Sequence, residues 1–257
     1  MKPKLAVLAV GSFLILASCD AFFSTNLFKE AGLGQPDAQE LASMSTSELL
    51  DEAYTQDGSI ASTFMEALEA DTSARGEVLS TLEATYTSGT VSSATRQEAA
   101  ALAVNVLTQT SGATDLVNGV VNAIADGIDF SMSTTAAITD FIESIVPAHI
   151  LADESSFAAA INALLDADAA RLAIDTTLVS DGLVGDLNAG DFAQNLIIAA
   201  ALAGVVPTGG ATTSEALWAA MSGDDSLIGS YAAPDLTSGS LNVLLAASGF
   251  DAADFGY

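Results

Sequence analysis

The sequence predicts an all-α fold of about ten short antiparallel helices, arranged as an irregular helical bundle or as a repeat-like α-array. Three observations carry this. From Ser45 onward apolar residues recur at helical spacing, as in Val117, Val120, Val121 and Ile124. The breaks between such runs carry Gly, Asp, Ser or Thr, as at Ser111-Gly112 and Asp126-Gly127. Convincing segments that alternate apolar and polar residues, the mark of a half-buried strand, are missing. With 257 residues, half of them apolar and only 15% charged, the chain can bury a sizeable core and is not a disordered polyampholyte.

Each helix has its own signal. Ser45 with Glu48 fits a capping box opening a helix over 48–55, and Asp57-Gly58 stops it. Ser59 opens the next, with Ile60, Phe64, Ala67 and Leu68 on one face. Further helices are expected over 73–86, 94–108, 114–125, 135–145, 155–167, 191–202, 214–221 and 240–247. Their starts recur at roughly 15–21 residues through the first two thirds of the chain, which suits short helices joined by tight loops. The tetratricopeptide pattern of Trp, Leu-Gly, Tyr and Pro at fixed offsets does not occur. Residues 196–206 are the most hydrophobic part of the chain after the N-terminus. They are too few to span a bilayer, which takes about 17 or more, and read as the central core helix. Pro207-Thr208-Gly209-Gly210 then forms a loop, a boundary for a small C-terminal subdomain from about residue 208.

The N-terminus has a different character. Lys2 and Lys4 precede an apolar stretch over 5–16, after which Ala17 and Ser18 lead into Cys19, the single cysteine. Twelve helical residues reach only about 18 Å, against a bilayer core of roughly 30 Å, so this is the anatomy of a secretory signal. Leu16-Ala17-Ser18-Cys19 resembles the lipobox of bacterial lipoproteins. That resemblance implies diacylglycerol on the Cys19 sulfur, cleavage before Cys19 and, in many such proteins, acylation of the new amino terminus. The expected organisation is a cleaved signal peptide over 1–18, a lipid-anchored tether over 19–44 and an acidic helical domain over 45–257. The tether is broken by Gly32, Gly34 and Pro36, yet Phe22, Phe23, Leu27 and Phe28 make it sticky enough to pack back on the body.

Charge narrows the partners. Six Lys and Arg stand against 33 Asp and Glu, a formal charge of −27. Removal of 1–18 takes two lysines with it, leaving Lys29, Arg75, Arg96 and Arg171 and a charge of −29. Such a surface argues against nucleic acid and is repelled by anionic headgroups, so the acyl chains must hold it at the bilayer. It favours a protein partner with a basic patch.

Signatures of catalysis are sparse. One His and one Cys exclude a Cys/His zinc cluster within the chain. His149, in Pro147-Ala148-His149-Ile150 just after an expected helix end, reads as a structural residue facing a helix dipole. No Gly-x-Ser-x-Gly, His-Glu-x-x-His or Walker-type sequence occurs. Asp166 with Asp168, or Asp251 with Asp254, could pair as acid and base only at separations that sequence does not supply. The best local ligand candidate is the Gly-rich stretch from Asp181 to Asp191. There Asp186, Asn188 and Asp191 offer hard oxygen ligands to Ca²⁺. It departs from an EF-hand loop: with Asp186 at position 1, position 6 is Asp191 and position 12 is Ile197. The favoured reading is a polar loop whose Asp191 caps the next helix. Trp218, beside Leu217 and Met221, reads as core, with a ligand platform as the less favoured alternative. The C-terminal stretch over 249–257 carries three aromatics and reads as a docked tail or a peptide offered to a partner.

The functional expectation is a non-enzymatic cell-envelope lipoprotein that binds or scaffolds another envelope protein. A lipid-anchored binder of a small ligand or Ca²⁺ is the alternative. No cofactor is expected beyond the covalent lipid on Cys19.

Overall fold

The computed structural model describes residues 36–55, 59–125, 135–184 and 189–249. Cys19, Asp186, Asn188 and the C-terminal tail from residue 250 lie outside the described residues. The all-α expectation holds: the described chain forms twelve α-helices, a short 3-10 turn and one two-stranded sheet.

The N-terminal layer is made of α1 (Ala38–Ser43), α2 (Thr46–Ala53), α3 (Ser62–Ala70) and α4 (Thr72–Tyr86). Local capping explains their starts. At α1, Asp37 accepts from the Glu40 N–H at 2.9 Å while its own N–H donates to the Glu40 carboxylate, closing a capping box. This helix falls inside the stretch expected to be tether, and Leu41 is fully buried in the core shared with α4. At α2 the Ser45 N–H and hydroxyl both donate to Glu48, as the sequence suggested, although the helix opens at Thr46. Helix α3 opens after Ala61 rather than Ser59. Asp71 accepts from the N–H groups of Ser73 and Ala74 and so starts α4.

Behind this layer runs α5 (Ser93–Thr110), which is buried on two sides. Ala99, Leu102, Ala103 and Val106 face α1–α4, with Leu49, Phe64, Leu68 and Leu82. Ala100, Ala101 and Val104 face the second, larger cluster. The alanines let neighbouring helices approach closely, which a helix of Leu and Ile on all sides would prevent.

The larger cluster surrounds α9 (Glu154–Asp181), the longest element at 28 residues. Around it pack α5, α6 (Ala113–Ala125), α8 (Ala148–Leu151), α10 (Ala189–Ala203), α11 (Thr213–Met221) and α12 (Gly239–Ser248), while α7 (Thr135–Ile145) lies against α6. Phe157, Ile161, Leu164, Ile174 and Leu178 of α9 share this core with Leu196, Leu217 and Leu244. Each such side chain contributes roughly 1.5–3 kcal/mol when fully buried. A helix that touches so many non-adjacent elements belongs to an irregular bundle; in a linear array each repeat meets only its neighbours.

Three further expectations change. Helix α9 was expected over 155–167 but continues to Asp181, ending at Gly182 with φ +70°. Helix α10 opens at Ala189, so Asp191 lies in its first turn rather than at the cap. A small sheet is present: β1 (Val205–Pro207) pairs antiparallel with β2 (Ile228–Tyr231), Val205 opposite Tyr231 and Val206 opposite Ser230. Three and four residues are too short for alternation to register in a sequence. The segments after residue 208 bury Leu217, Ile228, Leu236 and Leu244 in the same cluster as α9.

Two glycines mark close approaches of backbone to backbone. A Cβ on Gly119, in α6, would stand 2.1 Å from the Ile145 carbonyl oxygen at the end of α7. A Cβ on Gly204 would stand 2.0 Å from the Ala232 carbonyl oxygen, where α10 hands over to β1. Among the described residues no helix is long and apolar enough to cross a membrane.

Candidate functional site

The described arginines are committed inside the fold. Arg75 donates from Nη1 to the Thr110 carbonyl at 3.2 Å, covering an open acceptor at the C-terminus of α5. Arg96 donates from Nε to the Tyr86 carbonyl at the end of α4 and from Nη2 to the Ala173 carbonyl of α9, tying three helices together. Next to it, fully buried Gln97 bonds Thr177 and the Gly182 carbonyl through Nε2. Its Oε1 accepts from the Val184 N–H at 2.9 Å. Arg96 and Gln97 therefore clasp α9 and the chain leaving it.

Arg171 occupies the most distinctive position. It is 8% exposed and Asp168 is 5% exposed, burial unusual for these residue types unless they are paired. One turn of α9 brings them together, with Arg171 Nε donating to Asp168 Oδ1 at 2.8 Å. Nη1 donates to the Ser240 hydroxyl of α12 at 2.8 Å and lies 3.7 Å from Asp175. Arg171 lines an open cleft of about 360 Å³ between α9, the end of α10 and the start of α12. Asp175, Asp235, Ser238 and Ser240 supply its polar walls; Ala200, Ala203, Pro234 and Leu241 supply apolar ones.

The carboxylate of Asp235 is bonded by the Ser238 hydroxyl, the Thr237 hydroxyl and the Thr237 N–H, which hold its pKa down to about 2. An unfolded aspartate titrates near 3.9. The stabilisation from this loop is therefore complete above that value and lost as pH falls through about 2.

The candidate residues from the sequence separate. Asp166 and Asp168, two apart on one helix, point about 200° away from each other. Asp168 meets Arg171, whereas Asp166 lies beside α4, where partial desolvation and the charge of Glu83 raise its pKa. They do not form an acid–base pair across one cleft. Burial, with Glu83 and Asp166, pushes the neighbouring Tyr86 hydroxyl up to about 12. His149 sits in the last turn of α8, and its Nε2 lies 3.2 Å from Asp115 in the first turn of α6. Both side chains are largely exposed, so the contact adds little stability. Trp218 packs on Phe157 with ring centroids 5.5 Å apart, in the core role that its spacing suggested. For Asp186 and Asn188 nothing is described, and Asp191 is placed only as part of α10. Among the described residues no three His, Cys, Asp or Glu side chains are grouped to hold a metal ion.

Arg171 is a site residue that the sequence alone does not single out. Its signal was present: a lone arginine in an alanine-rich helical run, with Asp168 three residues before it and Asp175 four after. Together the fold and cleft define an acidic, all-α domain with an internal arginine network. No family model, curated protein or solved structure matches the chain.

Proposed function

We propose that the chain is a lipid-anchored cell-envelope protein, without catalytic activity, that binds or scaffolds a basic protein partner through its acidic helical body. The observation that carries this reading is how the cationic side chains are used. Arg75, Arg96 and Arg171 are all bonded to backbone carbonyls, a carboxylate or a hydroxyl within the fold, so among the described residues of this strongly acidic chain the unpaired surface charge is carried by carboxylates. Such a field accelerates encounter with a positively charged partner and disfavours nucleic acid and anionic headgroups. The exposed flank of α9 adds a contact of mixed character, with Leu172 and Val179 at 57% and 53% exposure around Asp175. The Leu16-Ala17-Ser18-Cys19 sequence supports the anchor.

Cross-linking in intact cells, followed by purification through the protein and mass spectrometry, tests the partner. One basic protein recovered near stoichiometry, and lost when salt is raised, is the expected result. Recovery of the chain alone would sink the scaffold reading. For the anchor, Cys19→Ser should release the protein from membranes or leave an uncleaved precursor. Unchanged processing and membrane association would rule the lipid out.

A further inference from the structure

We infer that the cleft over Arg171 is a binding site for a small zwitterion, an α-amino acid with an apolar side chain. Charge chemistry selects this class. Arg171 offers a donor for an anion: its Nε and Nη1 bond Asp168 and Ser240, and its Nη2 makes no hydrogen bond to a described residue. Beside it the first turn of α12 has no side-chain cap: the Ser238 hydroxyl donates to Asp235 and accepts from none of the helix N–H groups. The N–H groups of Gly239, Ser240 and Leu241 make no hydrogen bond to a described residue outside the helix; they lie at a helix N-terminus whose dipole favours negative charge, and all three residues line the cleft.

A simple anion does not match the whole site, because the carboxylates of Asp168, Asp175 and Asp235 outnumber the single guanidinium. A simple cation does not match it either, since it would meet Arg171 and the positive helix end. A ligand carrying carboxylate and ammonium a few ångströms apart satisfies both: carboxylate on Arg171 Nη2 and the α12 amides, ammonium on Asp175 and Asp235. The cleft as a whole is within the usual range for small-molecule sites, and its apolar walls, Ala200, Ala203, Pro234 and Leu241, suit an apolar side chain. This goes beyond the scaffold reading, and its test does not depend on the anchor.

The test is calorimetric titration of the full-length protein in detergent micelles with L-leucine. L-leucinamide, which lacks the carboxylate, and N-acetyl-L-leucine, which lacks the ammonium, are the comparison ligands. L-leucine should bind saturably, and each comparison ligand at least about tenfold more weakly. Asp175→Asn, at a side chain 41% exposed, should keep the parent melting temperature and lose L-leucine affinity by a similar factor. Ala203→Leu, which adds bulk to the α10 wall of the cleft, should abolish binding. Absence of L-leucine binding, equal binding of all three compounds, or parental affinity in Asp175→Asn would each overturn the inference.

Discussion

Replacing Gly119 by alanine is expected to destabilise the fold by about 3 kcal/mol or more, the upper part of the range for overpacking. The new Cβ would stand 2.1 Å from the Ile145 carbonyl oxygen and 2.9 Å from its carbonyl carbon. Neither atom belongs to a flexible side chain, so α6 and the end of α7 must move apart. That movement would disturb the packing of Leu116 and Val117 against Phe141 and Ile142. Gly76 is the matched control. It is exposed in the interior of α4, with nothing within 4 Å of an added Cβ. There the same substitution should gain about 0.5–1 kcal/mol, because alanine is the better helix former and restricts the unfolded chain. Urea denaturation of the two variants checks the pair. Equal effects, or a tolerated alanine at 119, would show that α6 and α7 do not meet backbone to backbone.

Asp168→Asn should cost about 3–5 kcal/mol, the usual loss when one member of a buried ion pair is removed. The loss is not the value of an attraction. It is the penalty of leaving the Arg171 guanidinium buried with its carboxylate gone. Joint replacement, Asp168→Leu with Arg171→Met, should therefore be less harmful than Asp168→Asn alone, since neither charge is then stranded. Denaturation midpoints of the three variants decide the matter. A double variant no better than the single would mean that the pair contributes net stability rather than merely avoiding a penalty.

That pair also explains what the sequence concealed. The apolar face of α9 is plain from Phe157 to Ala167, then buried Asp168 and Arg171 interrupt it. Polar residues at core positions ordinarily end a helix pattern. Here they satisfy one another and Ser240, so the helix runs on to Gly182. The all-α class was legible because alternation is absent and capping residues precede several helices. Ser45 with Glu48 is the clearest of these, and residues 135–145 match their helix end to end. The sheet was not legible, because its register depends on Gly204 meeting Ala232 rather than on any pattern in either strand. The cleft was not legible either. Its walls come from three segments, and only the fold sets Asp175 and Asp235 around one arginine.

The internal use of arginine also shapes how the molecule meets a protease. Trypsin needs a basic side chain, and the stretch after the expected signal offers only Lys29, Arg75, Arg96 and Arg171. The three arginines lie within helices, with their guanidinium groups bonded to neighbouring elements. Cleavage at these points must wait for the helices to open, so the rate of tryptic digestion reports the free energy of that opening. A limited digest becomes a stability assay with three built-in reporters: Arg75 senses α4 leaving the end of α5, Arg96 senses α5 leaving α9, and Arg171 senses the core itself.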